Sequence, residues 1–162
     1  MATVKKWIAA SPDDVWAVLA DARSYAFWVV GSHDVPKFDA TWPAIGSTFH
    51  HVQGHGPFKL SDTTTVVECQ PGRRLLLEVR IRPFLTGPVE LVLEPDGEGT
   101  CVSLTERAEG GLGGFFPGFV TGPPIAVRNA AALRRLAGMA WARAAALGQA
   151  PDDAGGPRGQ RG

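Results

Sequence analysis

Between residues 32 and 108 the chain breaks into six short segments, 33–42, 47–54, 58–69, 75–82, 88–94 and 100–108, rich in β-branched and aromatic residues and bounded by turn residues. Their connections are brief: Pro43-Ala44-Ile45-Gly46, Gln70-Pro71-Gly72-Arg73, 84–87 and 95–99. Parallel neighbours need a crossover of a dozen or more residues, so this spacing predicts an antiparallel meander. Leu75, Leu77, Val79 and Ile81 alternate with Leu76, Glu78, Arg80 and Arg82, while Val89, Leu91 and Leu93 alternate with Glu90, Val92 and Glu94. One face of the sheet is therefore apolar and the other mostly wet.

The flanks add helices. Residues 4–10 read as a first strand. Ser11-Pro12-Asp13-Asp14 then supplies an N-cap, a proline at the first helical position and acids in the first turn. Val15, Trp16, Val18 and Leu19 recur at helical spacing, and a second short helical piece carries Tyr25, Phe27 and Trp28. Residues 109–124 are a Gly/Pro-rich connector bearing Leu112, Phe115, Phe116 and Phe119. A long helix follows over 125–147, with Ile125, Leu133, Leu136, Ala137, Ala140, Ala144 and Leu147 along one side and Arg128, Arg134, Arg135 and Arg143 on its flanks. The predicted class is α+β, a seven-stranded antiparallel sheet with two short helices after strand 1 and a long C-terminal helix. The domain is expected to span 1–148. Residues 149–162, QAPDDAGGPRGQRG, lack the apolar side chains to offset their ordering entropy and read as a disordered tail.

At 162 residues and 44% hydrophobic content, a single core is expected. Sixteen Lys+Arg balance sixteen Asp+Glu, so no global field draws in nucleic acid or an anionic membrane, and a neutral or apolar partner is expected. Cys69 and Cys101 form no CxxC or Cys/His pattern, which argues against a disulfide scaffold or zinc site and favours a reducing cytoplasm. The N-terminal stretch has neither signal-peptide nor membrane-span character, so stable membrane insertion is not expected. A monomer or homodimer is anticipated. There is no phosphate-cradling Gly loop, nucleophile elbow, Cys/His nucleophile pair or HExxH, and no cofactor is expected.

This order of elements, together with IAASPDDVWAVLADARSYAFW and VVECQPGRRLLLEV, resembles the START-like (SRPBCC, Bet v 1-like) superfamily. Within it, WPAIGSTFHHVQGHGPFKLSDTTTVVECQPGRRL and RNAAALRRLAG are similar to a bacterial branch described as polyketide cyclase/dehydrase-like. The resemblance covers about residues 3–145. It implies a helix-grip fold, with the curved sheet wrapped around the long helix and an apolar cavity between them in which members hold lipids, polyketides or hormones. The small helix residues Ala132, Ala137, Ala140 and Ala144 suggest layers that do not fill the space, unless Met139 and Trp141 plug it.

On that implication, Trp28, Phe49, Phe58, Val66, Leu77, Val79, Leu91, Leu104, Leu133, Leu136 and Ala140 are the candidate cavity walls, each equally readable as core. Phe115, Phe116 and Phe119, flanked by Gly113, Gly114 and Gly118, are a candidate lid. In His50-His51-Val52-Gln53-Gly54-His55 the two-residue period puts His51 on the face of Phe49 and His50 on the other, so the adjacent imidazoles do not share a metal, and His55 falls in the expected hairpin turn. His51 is then a polar cavity group or an ordinary hydrogen-bonded histidine. Glu106 shares parity with Val102 and Leu104, and Glu68 with Thr64 and Val66, so each is either a cavity carboxylate or a surface group reaching water or arginine. The leading expectation is binding of a small hydrophobic or aromatic, lipid- or polyketide-like molecule. The alternative is a cyclase/dehydrase using His51, Glu106 or Glu68 to move protons, and a third is an interaction module docking through the connector phenylalanines.

Overall fold

The computed structural model describes residues 1–55, 58–81, 85–107 and 125–148. Seven strands, β1 (Ala2–Ile8), β2 (Ser32–Phe38), β3 (Thr48–His55), β4 (Phe58–Gln70), β5 (Arg74–Ile81), β6 (Leu85–Asp96) and β7 (Gly99–Glu106), form one sheet in the order β1-β7-β6-β5-β4-β3-β2. Every neighbouring pair is antiparallel. β2 to β7 are the meander foreseen from the short connections, and β1 joins its far end beside β7. The sheet is curved and open, and it grips a long helix: this is the helix-grip architecture.

Two short helices, α1 (Pro12–Leu19) and α2 (Tyr25–Trp28), follow β1, separated by a 3-10 turn at Ala22–Ser24. The capping signal works as the residue types require. Ser11 Oγ accepts from the Asp14 amide at 3.2 Å and donates to the Asp14 carboxylate at 2.8 Å, satisfying one of the orphan donors of the first turn. The long helix α3 (Ile125–Ala146) lies across β1, α1 and α2. Among the described residues no helix is long and apolar enough to cross a membrane.

The alternation read from the sequence becomes the core. Leu75, Leu91, Val102, Leu133 and Leu136 are fully buried, joined by Ile8, Val15, Leu19 and Tyr25 from the N-terminal elements. Burying each large side chain contributes about 1.5–3 kcal/mol. Several boundaries differ from the sequence reading: β1 spans Ala2–Ile8 instead of 4–10, β7 spans Gly99–Glu106 instead of 100–108, and three further ends differ as follows. β2 stops at Phe38 instead of residue 42, because Asp39 folds back to accept from the Thr48 amide and hydroxyl at 2.8 and 3.0 Å, and Trp42 turns into the core. β6 begins at Leu85, so residues 85–87, expected within a turn, are paired with β5 instead. Pro88 is tolerated there because the β7 ladder ends at Val89, with Arg107 N donating to Pro88 O at 3.1 Å just beyond it. Leu147 is 54% exposed, past the end of α3 and off its buried stripe.

The small residues of α3 divide: Ala132 borders an internal space, as expected, while the later ones do not. Ala140 and Ala144 are fully buried, so here the missing side-chain volume lets the helix seat against its neighbours instead of leaving a gap. Trp141 is 42% exposed and Met139 packs at the core margin, so neither plugs an internal space. The expected tail at 149–162 lies outside the described residues.

Candidate functional site

A cavity of about 90 Å³ opens between the concave sheet face and the first turns of α3, where Arg128, Asn129 and Ala132 replace the tightly seated alanines. Its apolar wall is held in place by an aromatic cluster: Tyr25 lies 4.9 Å from Trp28 and 4.7 Å from Phe49, and Trp42 meets Phe49 edge-on at 4.7 Å. Each polar tip in that cluster is satisfied. Tyr25 OH and Trp42 Nε1 both donate to Leu19 O, at 3.1 and 3.2 Å, and Trp28 Nε1 donates to Ser24 Oγ at 3.2 Å. Burial, with a smaller push from Cys69, raises the Tyr25 phenol far above its ordinary value, so it stays neutral. The rings of Trp28 and Phe49 thus face the cavity as apolar surface.

Sequence-nominated residues divide clearly. Trp28, Phe49, His51, Leu77, Val79, Leu104 and Glu106 line the space. Val66, Leu91, Leu133, Leu136 and Ala140 do not: they are at most 1% exposed and belong to the packed core, because the cavity lies only at the N-terminal end of α3. Phe58 is in β4, its side chain outside the described set, and Phe115, Phe116 and Phe119 lie outside the described residues altogether. Among the described residues no group of three or more His, Cys, Asp and Glu is placed to hold a metal.

The three nominated acid/base residues end in three situations. Glu106 faces inward, as its parity implied, but Arg128 Nη2 donates to its Oε1 at 2.6 Å, joining the end of β7 to α3 at the cavity. Glu68 is on the outer face, its side chain 48% exposed and bonded to Arg74. The reason is a bulge: the β4–β5 register shifts between Val66 and Glu68, leaving Val67 unpaired, and one extra residue reverses every side chain beyond it. His51 is 3% exposed, packed edge-on to Phe49 with centroids 5.3 Å apart.

His51 stands opposite Asp62 in the β3–β4 register, its Nε2 3.6 Å from Asp62 Oδ2. That distance suggests an ion pair, yet burial dominates both groups. It pushes the Asp62 carboxyl up to about 7 and the His51 imidazole down to about 4, His50 adding to the latter. Two full charges, the carboxylate without a hydrogen bond among the described residues and the imidazole with one long contact to Ser32 Oγ, would cost more in desolvation than their attraction returns, so the contact is a neutral juxtaposition. Asp62 and Asn129, both buried, were missed by the sequence reading. Shared parity with Thr64 and Val66 was the available signal for Asp62, and helical spacing to Leu133 and Leu136 for Asn129.

Residues 1–140 match the family described as polyketide cyclase / dehydrase and lipid transport. The chain belongs to this family. No curated protein matches the sequence. Within the polyketide cyclase / dehydrase and lipid transport fold, the chain is similar to the Zhui aromatase/cyclase of Streptomyces sp. R1128, with TM-score 0.69, 20% identity and coverage of 91% of this chain and 96% of that one. A protein from Thermus thermophilus gives TM-score 0.66 at 18% identity, covering 87% of this chain and 97% of that one. The di-domain aromatase/cyclase StfQ of the steffimycin biosynthetic pathway gives 0.66 at 15%, covering 88% of this chain and 51% of that one. At such identities the likeness establishes the fold alone.

Proposed function

We propose that this chain binds a small, neutral aromatic or otherwise apolar molecule in the cavity between the concave sheet face and the start of α3. The observation carrying the proposal is the composition of the wall: aromatic rings whose own polar tips are satisfied elsewhere, with a few polar groups, His51, Thr64, Asn129, Arg107 and the Glu106–Arg128 pair, set among them. A cavity of about 90 Å³ suits about one aromatic ring, not a long acyl chain. Family membership and the likeness to an aromatase/cyclase agree with such a guest.

Calorimetric titration with a panel of one- to three-ring aromatics tests this. Binding with a negative heat-capacity change is expected for the unaltered chain. Ala132→Phe, which fills the cavity from α3, is expected to weaken it about tenfold or more while leaving the fold intact, with Val29→Phe as a second blocking variant on the opposite wall. Failure of the wild type to bind any member of the panel, or undiminished binding by both blocking variants, would sink the proposal.

A second reading, ring closure or water loss of the cyclase/dehydrase kind, is favoured by one observation: a neutral imidazole on the cavity wall beside a carboxyl group that burial pushes up to about 7. Under it His51 moves protons, Glu106 is held by Arg128 as an orienting pair, and Glu68 on the outer face takes no part.

A further inference from the structure

Equal numbers of acids and bases conceal a segregation along the chain. Residues 1–109 carry fourteen Asp and Glu against ten Lys and Arg, whereas residues 110–148 carry four Arg and no acid, all four on α3. A net charge near zero leaves no field over the whole molecule, but a helix bearing cations alone produces one at its own surface, within a Debye length of about 8 Å at physiological salt. Two of the four are engaged. Arg128 Nη2 donates to Glu106 Oε1 at 2.6 Å, and Arg143 Nε stands 3.6 Å from Asp14 Oδ1. Arg134 and Arg135, in the middle of the helix, are exposed and form no ion pair or hydrogen bond among the described residues. Lys6 adds to them, since it shares the inward parity of Val4 and Ile8 on β1, the strand packed along α3. Against these stand Asp13 of α1, which is exposed, and Asp21, whose carboxylate accepts from the amide of Arg23.

The same side of α3 carries exposed apolar bulk. Val127, Arg134 and Trp141 recur every seven residues, two turns of helix, so they stand in one line, with about 21 Å along the axis between Val127 and Trp141. Val127 is 55% and Trp141 42% exposed, on a helix whose inner stripe of Leu133, Leu136, Ala140 and Ala144 is already fully buried, so these two take no part in the core. Ala131, Ala142 and Ala145 are short, and at Gly138 a Cβ would meet open space, so the rest of that side stays low. A single exposed apolar residue needs no explanation. An indole and a valine aligned about two unpartnered guanidiniums, on a helix without an acid, form a surface that meets apolar material and negative charge together.

We propose that the outer side of α3 docks on an anionic lipid surface, with Arg134 and Arg135 at the headgroup phosphates and Val127 and Trp141 reaching the boundary of the acyl chains. An acidic protein would also satisfy the guanidiniums, but a straight, convex line of side chains matches a plane, and an indole beside arginines is the combination that a membrane interface favours. Two free cations and one indole make the docking shallow, reversible and sensitive to salt. The helix keeps its inner stripe in the core throughout, so nothing spans the bilayer. This surface is distinct from the cavity, and neither reading needs the other.

The test is co-sedimentation of the full chain with phosphatidylcholine vesicles containing about 40% phosphatidylglycerol, and with vesicles of phosphatidylcholine alone, at low salt. Binding to the anionic vesicles and not to the neutral ones is expected. It should weaken about tenfold or more in Arg134→Gln/Arg135→Gln and about threefold in Trp141→Ser. Lys37→Gln/Arg73→Gln makes the same change of charge at exposed positions on other elements and should leave binding within about twofold of the wild type. All five substituted side chains are exposed, and urea midpoints matching the wild type establish that each variant is folded. No binding to the anionic vesicles, equal binding to both kinds, or undiminished binding by Arg134→Gln/Arg135→Gln would overturn the proposal. A chain that ignores vesicles but binds poly-L-glutamate through the same two arginines would overturn it in favour of an acidic protein. One that ignores vesicles and self-associates through Trp141 would overturn it in favour of a second copy.

Discussion

His51 and Asp62 are displaced from their ordinary pKa values in opposite directions, and the consequence for stability is a cancellation. Near pH 5 the native pair holds its proton on a neutral carboxyl, whereas the unfolded chain holds it on a charged imidazole; both states bind one proton, so the pair contributes no pH slope there. Removing either partner exposes the other. In His51→Gln the remaining Asp62 has a raised folded value, so its stabilisation is complete below its ordinary 3.8 and is lost as pH rises through about 7. In Asp62→Asn the remaining His51 has a lowered folded value, so its stabilisation is present above 6.5 and is lost as pH falls through about 4. Unfolding free energies from urea titrations across this range should therefore slope in opposite directions for the two variants, spanning about 4 kcal/mol for His51→Gln and about 3 kcal/mol for Asp62→Asn, against a flatter wild type. Of these two residues only His51 was legible in the sequence. Its parity with Phe49 gave its side of the strand, but Asp62 sits in Ser61-Asp62-Thr63-Thr64-Thr65, where both parities are polar and shared parity with Val66 is the one weak signal. Glu68 was misplaced for a different reason, since no local residue preference announced the bulge that turns it outward.

At the scale of elements, two glycines with opposite surroundings make a paired prediction. Gly99 opens β7 beneath Trp7, and a Cβ there would stand 2.4 Å from Ile8 O and 2.6 Å from the indole, which is itself anchored by Nε1 donating to Asp96 O at 3.1 Å. Gly138, inside α3, has open space where its Cβ would be. Gly99→Ala should cost about 3 kcal/mol by forcing β1 and β7 apart, while Gly138→Ala should add about 1 kcal/mol through helix propensity, both read from chemical denaturation. Element type was readable nearly throughout, because the cap at Ser11, the two-residue period of β5 to β7 and the helical period of α3 are local signals that the tertiary structure leaves intact. Ends were less readable. Trp42 leaves the line of β2 to reach Leu19 O, and Leu85 enters β6 because β5 offers it a ladder, and both causes lie across the molecule.

For the molecule as a whole, the Glu106–Arg128 contact is the point where sheet and long helix are joined by charge instead of packing. Arg128→Met leaves the Glu106 carboxylate mostly buried without its partner and should lower stability by about 2 kcal/mol, and adding Glu106→Gln should recover much of that loss; a double-mutant cycle by urea denaturation measures the coupling. Were Arg128→Met as stable as the wild type, the contact would hold nothing together. The strand order carries a further consequence. β2 through β7 each find a partner next to them in the chain, but β1 pairs with β7 alone, Ile8 opposite Thr100 and Ala2 opposite Glu106, and its helical cover is α3. Among the elements of this fold, β1 is thus made before all others while its strand and helix partners are made last. During synthesis β1 waits through about a hundred residues with its ladder groups open, and a chain cut anywhere before β7 leaves it with no strand to join.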